Sequence, residues 1–362
     1  MDLPPAPNGL WNRWNLGLHW GTCSGPNCHV RENLLRCGAC RAVLYCGAAH
    51  QRAHRPVHKS SCNLIKTARA KLAEEEATLR AHPGDEFMEA NPFETTRGMF
   101  WPHLPARPYM QARFELISTL LNIKTGTAVE EALEHSLEML QLNRRDNQSI
   151  RSHVPALYLR LGREQEAYDF IKWHATIGGA DDYDWGDMEN PFLNLHDEDV
   201  FEPVTDTKEL LDLGMLASLT NLKLRLNLDI QSLEKQFNKP GKRNATYDEK
   251  MEWIREHAIC DILYKRRDIV ERSEWTDILK SLQEQCEVMF DVVDERNKHY
   301  WPALRSPERY AAAMPVPYAM GSPQEINWVF RNTWYSWAEC PPVLEIVKSW
   351  HAAGKGRNRR SS

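Results

Sequence analysis

The sequence predicts a mainly α-helical protein with a small metal-built module near its amino end. Two observations lead there. Six of the nine Cys fall between Cys23 and Cys62, and from about Ala106 onward apolar residues recur at helical spacing almost to the carboxyl end. A third is a stretch, DNQSIRSHVPALYLRLGREQEAYDFIKW, in which Pro155, Tyr158, Gly162, Ala167 and Ile171 fall close to the pattern of a tetratricopeptide unit.

The 362 residues divide on this reading into five parts. Residues 1–22 form an extended Trp- and Pro-rich arm, whose Trp11, Trp14 and Trp20 pack back on a neighbouring domain. Residues 23–62 hold the ligand-dense module. Residues 63–105 are a strong helix former from Asn63 to Ala81, stopped at His82-Pro83-Gly84-Asp85, and then an irregular connection. Residues 106–351 are a helical array in which stacked neighbours complete each other's core. Within it Tyr109–Leu121 and Val129–Leu142 pair antiparallel across Thr125-Gly126-Thr127. Residues 352–362 are a basic, disordered tail.

A reducing, intracellular setting, cytoplasmic or nuclear, is expected. The first residues lack the basic-then-apolar pattern of a secretory leader, and no run approaches the ~18 apolar residues of a spanning helix. Clustered thiols in such a setting point to metal and not to disulfides. Charge is uneven: Arg31, Arg36, Arg41, Arg52, Arg55 and Lys59 face one acid, Glu32, between Cys23 and Cys62, whereas Asp181–Glu202 carries nine acids and no Lys or Arg.

The candidate ligands come in four pairs: Cys23 with Cys28, Cys37 with Cys40, Cys46 with His50, and His58 with Cys62. Cys-Gly-Ala-Cys closes a tight knuckle with both sulfurs turned to one ion. The last two pairs are four residues apart, which places both members on one helical face. Arg55-Pro56 is expected to break the chain between them, with Pro56 opening a new helix. Leu34-Leu35-Arg36 and Arg41–Tyr45 read as a hairpin. His54 and His29 are alternative imidazoles. Eight ligands make two closed tetrahedral zinc sites, the structural type. Forty residues bury too little to fold unaided, and each zinc supplies roughly 10–16 kcal/mol.

This spacing, C-x4-C-x8-C-x2-C-x5-C-x3-H-Q-x6-H-K-x2-C, resembles a MYND zinc finger, as do Tyr45, Gln51 and His58-Lys59 in their positions. The resemblance implies a crossed arrangement: Cys23, Cys28, Cys46 and His50 at one ion, Cys37, Cys40, His58 and Cys62 at the other. Spacing alone also allows a sequential one. The sixth ligand, commonly Cys in the family, is His50 here, and a family Trp is replaced by Arg55. Fingers of this type take up proline-containing peptides of partner proteins. Tyr45, Gln51 and His54 are thereby candidates for the peptide groove, or else supports of the zinc shells. The basic surface favours acidic flanks on such partners. The helical stretch quoted above and DYDWGDMENPF also resemble segments that follow a MYND finger in a group of fungal proteins.

The expected function is therefore a non-enzymatic adaptor: a zinc-dependent peptide-binding module on a helical scaffold. The alternative is an enzyme, methyltransferase-like or other, with its site near Asp181–Glu202. Against it, no SET-type N-H-S-C stretch, Gly-rich cofactor loop, P-loop, G-x-S-x-G or H-E-x-x-H is present. The acids of 181–202 do not follow calcium-loop spacing, and Tyr183, Trp185, Phe192 and Phe201 read as buried anchors of a polar loop. Cys260, Cys286 and Cys340 read as core thiols. Nucleic-acid binding is disfavoured because the whole chain is acidic, at −5.

Overall fold

The computed structural model describes Leu18 and residues 21–204, 211–311 and 316–355. Trp11, Trp14, Trp20 and most of the basic tail lie outside these residues. The protein is mainly α-helical. Among the described residues its one sheet is a two-stranded antiparallel hairpin, β1 (Leu35–Arg36) and β2 (Leu44–Tyr45), with Leu35 opposite Tyr45. No helix among them is long and apolar enough to cross a membrane.

Two compact units emerge, one of residues 18–157 and 184–191, the other of 158–183 with 192 onward. In the first, β2 runs directly into α1 (Ala48–Arg80), a single 33-residue helix. The break expected at Arg55-Pro56 is not there: Pro56 lies inside the helix. Its missing N–H frees the carbonyl of Arg52. Both residues are exposed, so the carbonyl is open to solvent, and the ligands His50 and His58 anchor the helix on either side.

One face of α1 carries His58, Cys62, Ile65, Ala68, Leu72 and Leu79, all buried. The spacing of three, four and seven keeps them aligned, so the ligand face continues without interruption as a packing face. It rests on α2 (Arg107–Leu120), through Tyr109, Met110, Ala112, Leu116, Ile117 and Leu120. Helix α2 packs in turn on α3 (Gly126–Leu142). Thr125 caps α3 by accepting from the Ala128 N–H at 3.3 Å. The connection 81–106 is irregular apart from single turns at Pro92–Thr95 and Leu104–Ala106, and is pinned by Met88 and by Phe100, which meets Phe93 edgewise. Segment 184–191 is held to this unit by Arg144, whose guanidinium donates to the carbonyls of Asp187, Met188 and Asn190 at 2.9–3.2 Å. At Gly98, with φ of +92°, any Cβ would collide with the Met188 sulfur.

The boundary between the units falls within α4 (Val154–Arg160). In the second unit Gly162 turns the chain with φ of +66° into α5 (Glu164–Ala175), where Ala167 and Ile171 are buried. The centre is α6 (Leu213–Phe237), which is buried on nearly every face and contacts α5, α8 (Thr276–Arg296), α9 (Pro323–Ala338) and α10 (Pro341–Ala352). Between α6 and α8, α7 (Tyr247–His257) opens with a capping box formed by Thr246 and Glu249. From Leu213 to Asn227 every residue of α6 is buried, so the polar residues there bond inside the core. Arg225 donates to Glu164 and to the carbonyls of Leu159 and Ser336. Lys223 donates to the carbonyls of Val200 and Glu202.

Candidate metal centre

The hairpin is what brings the ligands together. β1–β2 pairing sets the knuckle Cys37–Cys40 at its turn end and returns the chain so that Cys46 and His50, at the start of α1, meet the loop of Cys23 and Cys28. That loop is fastened by Cys23 N–H to the Val30 carbonyl at 2.9 Å and Ser24 N–H to the Leu44 carbonyl at 2.7 Å. Gly25 is required there, since a Cβ would lie 2.5 Å from the Cβ of His50.

Two ligand clusters result: Cys23, Cys28, Cys46 and His50 form one; Cys37, Cys40, His58 and Cys62 form the other. In each the four donor atoms lie within 4.8 Å of one another. The crossed arrangement is therefore the one present. The edges also have the right length. Zn–S bonds of about 2.3 Å and Zn–N bonds of about 2.0–2.1 Å at tetrahedral angles require S···S near ~3.8 Å and S···N near ~3.5 Å. The first cluster gives 3.9 Å for Cys28 to Cys46, and 3.5 and 3.0 Å from His50 Nδ1 to the Cys23 and Cys46 sulfurs. The second gives 3.8 Å for Cys37 to Cys62 and 3.4 Å for Cys40 to His58 Nε2. The residues thus fit zinc in both places.

Electrostatics point the same way. Without an ion, burial pushes the Cys40 thiol up to about 12, and the neighbouring thiolates of Cys37 and Cys62 add to the rise. A divalent cation reverses this by stabilising the thiolates outright. Burial lowers the pKa of His58, which favours the neutral imidazole that a metal needs.

The remaining residues singled out from sequence fall as follows. Tyr45 is only 2% exposed, and its hydroxyl is 2.9 Å from His54 Nδ1. His54 stacks on His58 with ring centroids 5.3 Å apart, so it backs the second site and is not among its ligands. Gln51 is exposed, with Nε2 4.0 Å from the Cys37 sulfur. His29 is exposed and outside both clusters. Cys260, Cys286 and Cys340 are buried free thiols, and burial lifts Cys286 to about 12.

Two residues that sequence reasoning passed over complete the second site. Arg69 donates through Nε and Nη2 to the Cys40 carbonyl at 3.1 and 2.7 Å, and its guanidinium also pairs with Glu131 on α3. The Thr125 hydroxyl donates to the Ala42 carbonyl at 2.5 Å. The signal for Arg69 was its place on α1 seven residues beyond Cys62; for Thr125 it was only its place in the turn before α3.

The acidic stretch differs from expectation in its anchors. Tyr183, Trp185, Phe192 and Phe201 are each half-buried, and Val200 is the fully buried residue. The aromatics serve as edges: Tyr183 and Phe192 both meet Trp173 at right angles or nearly so. In the second unit Glu198 and Glu202 pair with Lys172, Asp197 with Lys265 and Asp199 with Arg266.

No curated protein and no solved structure matches the chain. The family model of the MYND finger matches residues 23–62. With two Cys3His clusters of zinc-binding geometry inside that match, residues 23–62 constitute a MYND finger that binds two zinc ions per chain.

Proposed function

We propose that the protein is a zinc-dependent adaptor whose finger binds proline-containing segments of partner proteins, with the helical region as scaffold. The observation that carries this is the closure of both sites: four protein ligands at each ion leave no position for substrate, which is the structural and not the catalytic form. The surface of the finger supports binding. Leu35 on the outer strand β1 is 68% exposed and Val30 in the preceding loop 44%, and an extended peptide can add to such a strand edge. Pre-extended proline segments dock with little loss of entropy. Around it Arg31, Arg36, Arg41, Arg52, Arg55 and Lys59 are exposed, which favours acidic flanks. Within this reading Gln51 and the half-buried His54 border the groove and Tyr45 supports it from beneath. Arg55 replaces an aromatic contact with a charged one.

The scaffold is read as tetratricopeptide-like on the strength of the Gly162 turn and the buried Ala167 and Ile171, and the setting as cytoplasmic or nuclear. An enzyme site near Asp181–Glu202 is disfavoured because carboxylates there are engaged by Lys172, Lys265 and Arg266.

The test is an array of proline-rich peptides, with and without acidic flanks, probed with the zinc-loaded full chain. Binding that is strongest for acidic-flanked peptides, lost on chelation and weakened about tenfold by Arg52→Glu with Arg55→Glu is expected. No binding to any member, or binding indifferent to zinc, overturns the reading.

A further inference from the structure

The two metal sites share a ligand set but not a setting. All four ligands of the second site are buried, whereas in the first only Cys23 is, with Cys28, Cys46 and His50 half-exposed. The second site is also fastened from outside the finger. Arg69 grips the Cys40 carbonyl from α1 and joins it to Glu131 of α3, and Thr125 grips the Ala42 carbonyl from the α2–α3 turn. Ala42 and Val43, at 0% and 1% exposure, belong to the core. Two of its ligands, His58 and Cys62, begin the face of α1 that packs on α2. The backbone bonds of the first-site loop run instead to Val30 and Leu44 of the finger itself.

We propose that the first site is an oxidant-sensitive zinc centre that releases its ion while the second, a structural keystone of the α1–α2–α3 packing, retains its own. The inference rests on both sites holding zinc. The chemistry at the first site is a two-electron thiolate oxidation by a peroxide. The Cys28 and Cys46 sulfurs, 3.9 Å apart, each give up one electron and form an S–S bond. Hydrogen peroxide takes up the two electrons and two protons and leaves as two waters. With two of four ligands gone, Cys23 and His50 no longer hold the ion. The Cys37 and Cys62 sulfurs are as close, 3.8 Å, but both residues are buried, at 4% and 7% exposure. Accessibility, not sulfur geometry, separates the sites. The consequence is a switch: the loop of Cys23 and Cys28 loosens under oxidation while the hairpin turn and the helical packing stay intact.

The test uses the full zinc-loaded chain titrated with hydrogen peroxide. Native mass spectrometry counts ions, peptide mapping locates disulfides, and hydrogen exchange follows residues 107–142. One ion is expected to leave at least about tenfold faster than the other, with a Cys28–Cys46 disulfide and unchanged protection of α2 and α3. Loss of the second ion should come later and with deprotection. Arg69→Met combined with Thr125→Val should bring the two release rates together within about a factor of three, the outer-shell partners being worth about 10–100-fold in affinity. Cys28→Ser should hold one ion with α2 and α3 still protected. Simultaneous loss of both ions, first oxidation at Cys37 or Cys62, or deprotection of 107–142 at the first loss overturns the proposal. Fewer than two ions before any peroxide is added would instead count against the two-zinc reading beneath it.

Discussion

Replacing Arg225 by Met should be among the most damaging single changes in the second unit. Its guanidinium is buried and donates to Glu164 Oε1 at 2.8 Å, the Leu159 carbonyl at 2.8 Å, the Ser336 carbonyl at 2.6 Å and Asn221 Oδ1 at 2.8 Å. The Glu164 side chain is 0% exposed. Methionine fills similar volume but leaves that carboxylate buried without its cation, a loss of about 3–5 kcal/mol. Three other acceptors lose a donor at about 1 kcal/mol each, partly recovered by relaxation. The sum is about 6–8 kcal/mol before that relaxation, a large part of the ~5–15 kcal/mol that holds a domain folded. Burial already raises the Glu164 pKa against the pull of Arg225. Without Arg225 the folded chain favours the protonated acid still more, so the variant should recover stability as pH falls from 8 to 5. Adding Glu164→Gln removes the buried charge and should restore about 2 kcal/mol or more. Urea unfolding of the single and double variants at both pH values is the assay. A loss below about 1 kcal/mol, or strictly additive effects of the two changes, would refute the reasoning.

Two further changes follow from the same physics. Pro56→Ala restores a donor to the Arg52 carbonyl inside α1 and should stabilise the first unit by about 1–2 kcal/mol, the interior-helix penalty less the chain entropy that proline removes; a lowered calorimetric Tm would contradict it. Burial lifts the Asp229 carboxyl to about 7 despite two backbone N–H donors. The folded chain then keeps a proton that the unfolded chain sheds above about 4, so stability falls as pH rises from about 4 to about 7, by at most about 1.4 kcal/mol per pH unit. Glu164 and Asp261, also raised by burial, act with the same sign. Hydrogen-exchange stability of the Leu213–Phe237 amides reads this apart from the finger, and stability increasing over that interval would contradict it.

The sequence carried the ligands because zinc imposes short, regular spacings on Cys and His. It did not carry the crossing, which depends on a hairpin of two residues per strand returning Cys46 to Cys23. Pro56 misled because a proline penalty is local, whereas α1 is held by ligands and core contacts on both sides of it. The same helix runs on past Cys62, where Ile65, Ala68 and Leu72 extend the ligand face. Turn signals read well, as at Thr125-Gly126 and Gly162. The clamps of Arg69, Arg144 and Arg225 were invisible, because a charged residue in a helical pattern looks the same whether it meets water or a buried carbonyl.

Zinc K-edge absorption on the purified full chain, with metal content measured on the same sample, tests the central claim most directly. Two zinc ions per chain are expected, with an average shell of three sulfurs at about 2.3 Å and one nitrogen at about 2.0–2.1 Å. A single ion, or a shell dominated by oxygen ligands with water in place of thiolate, would contradict it.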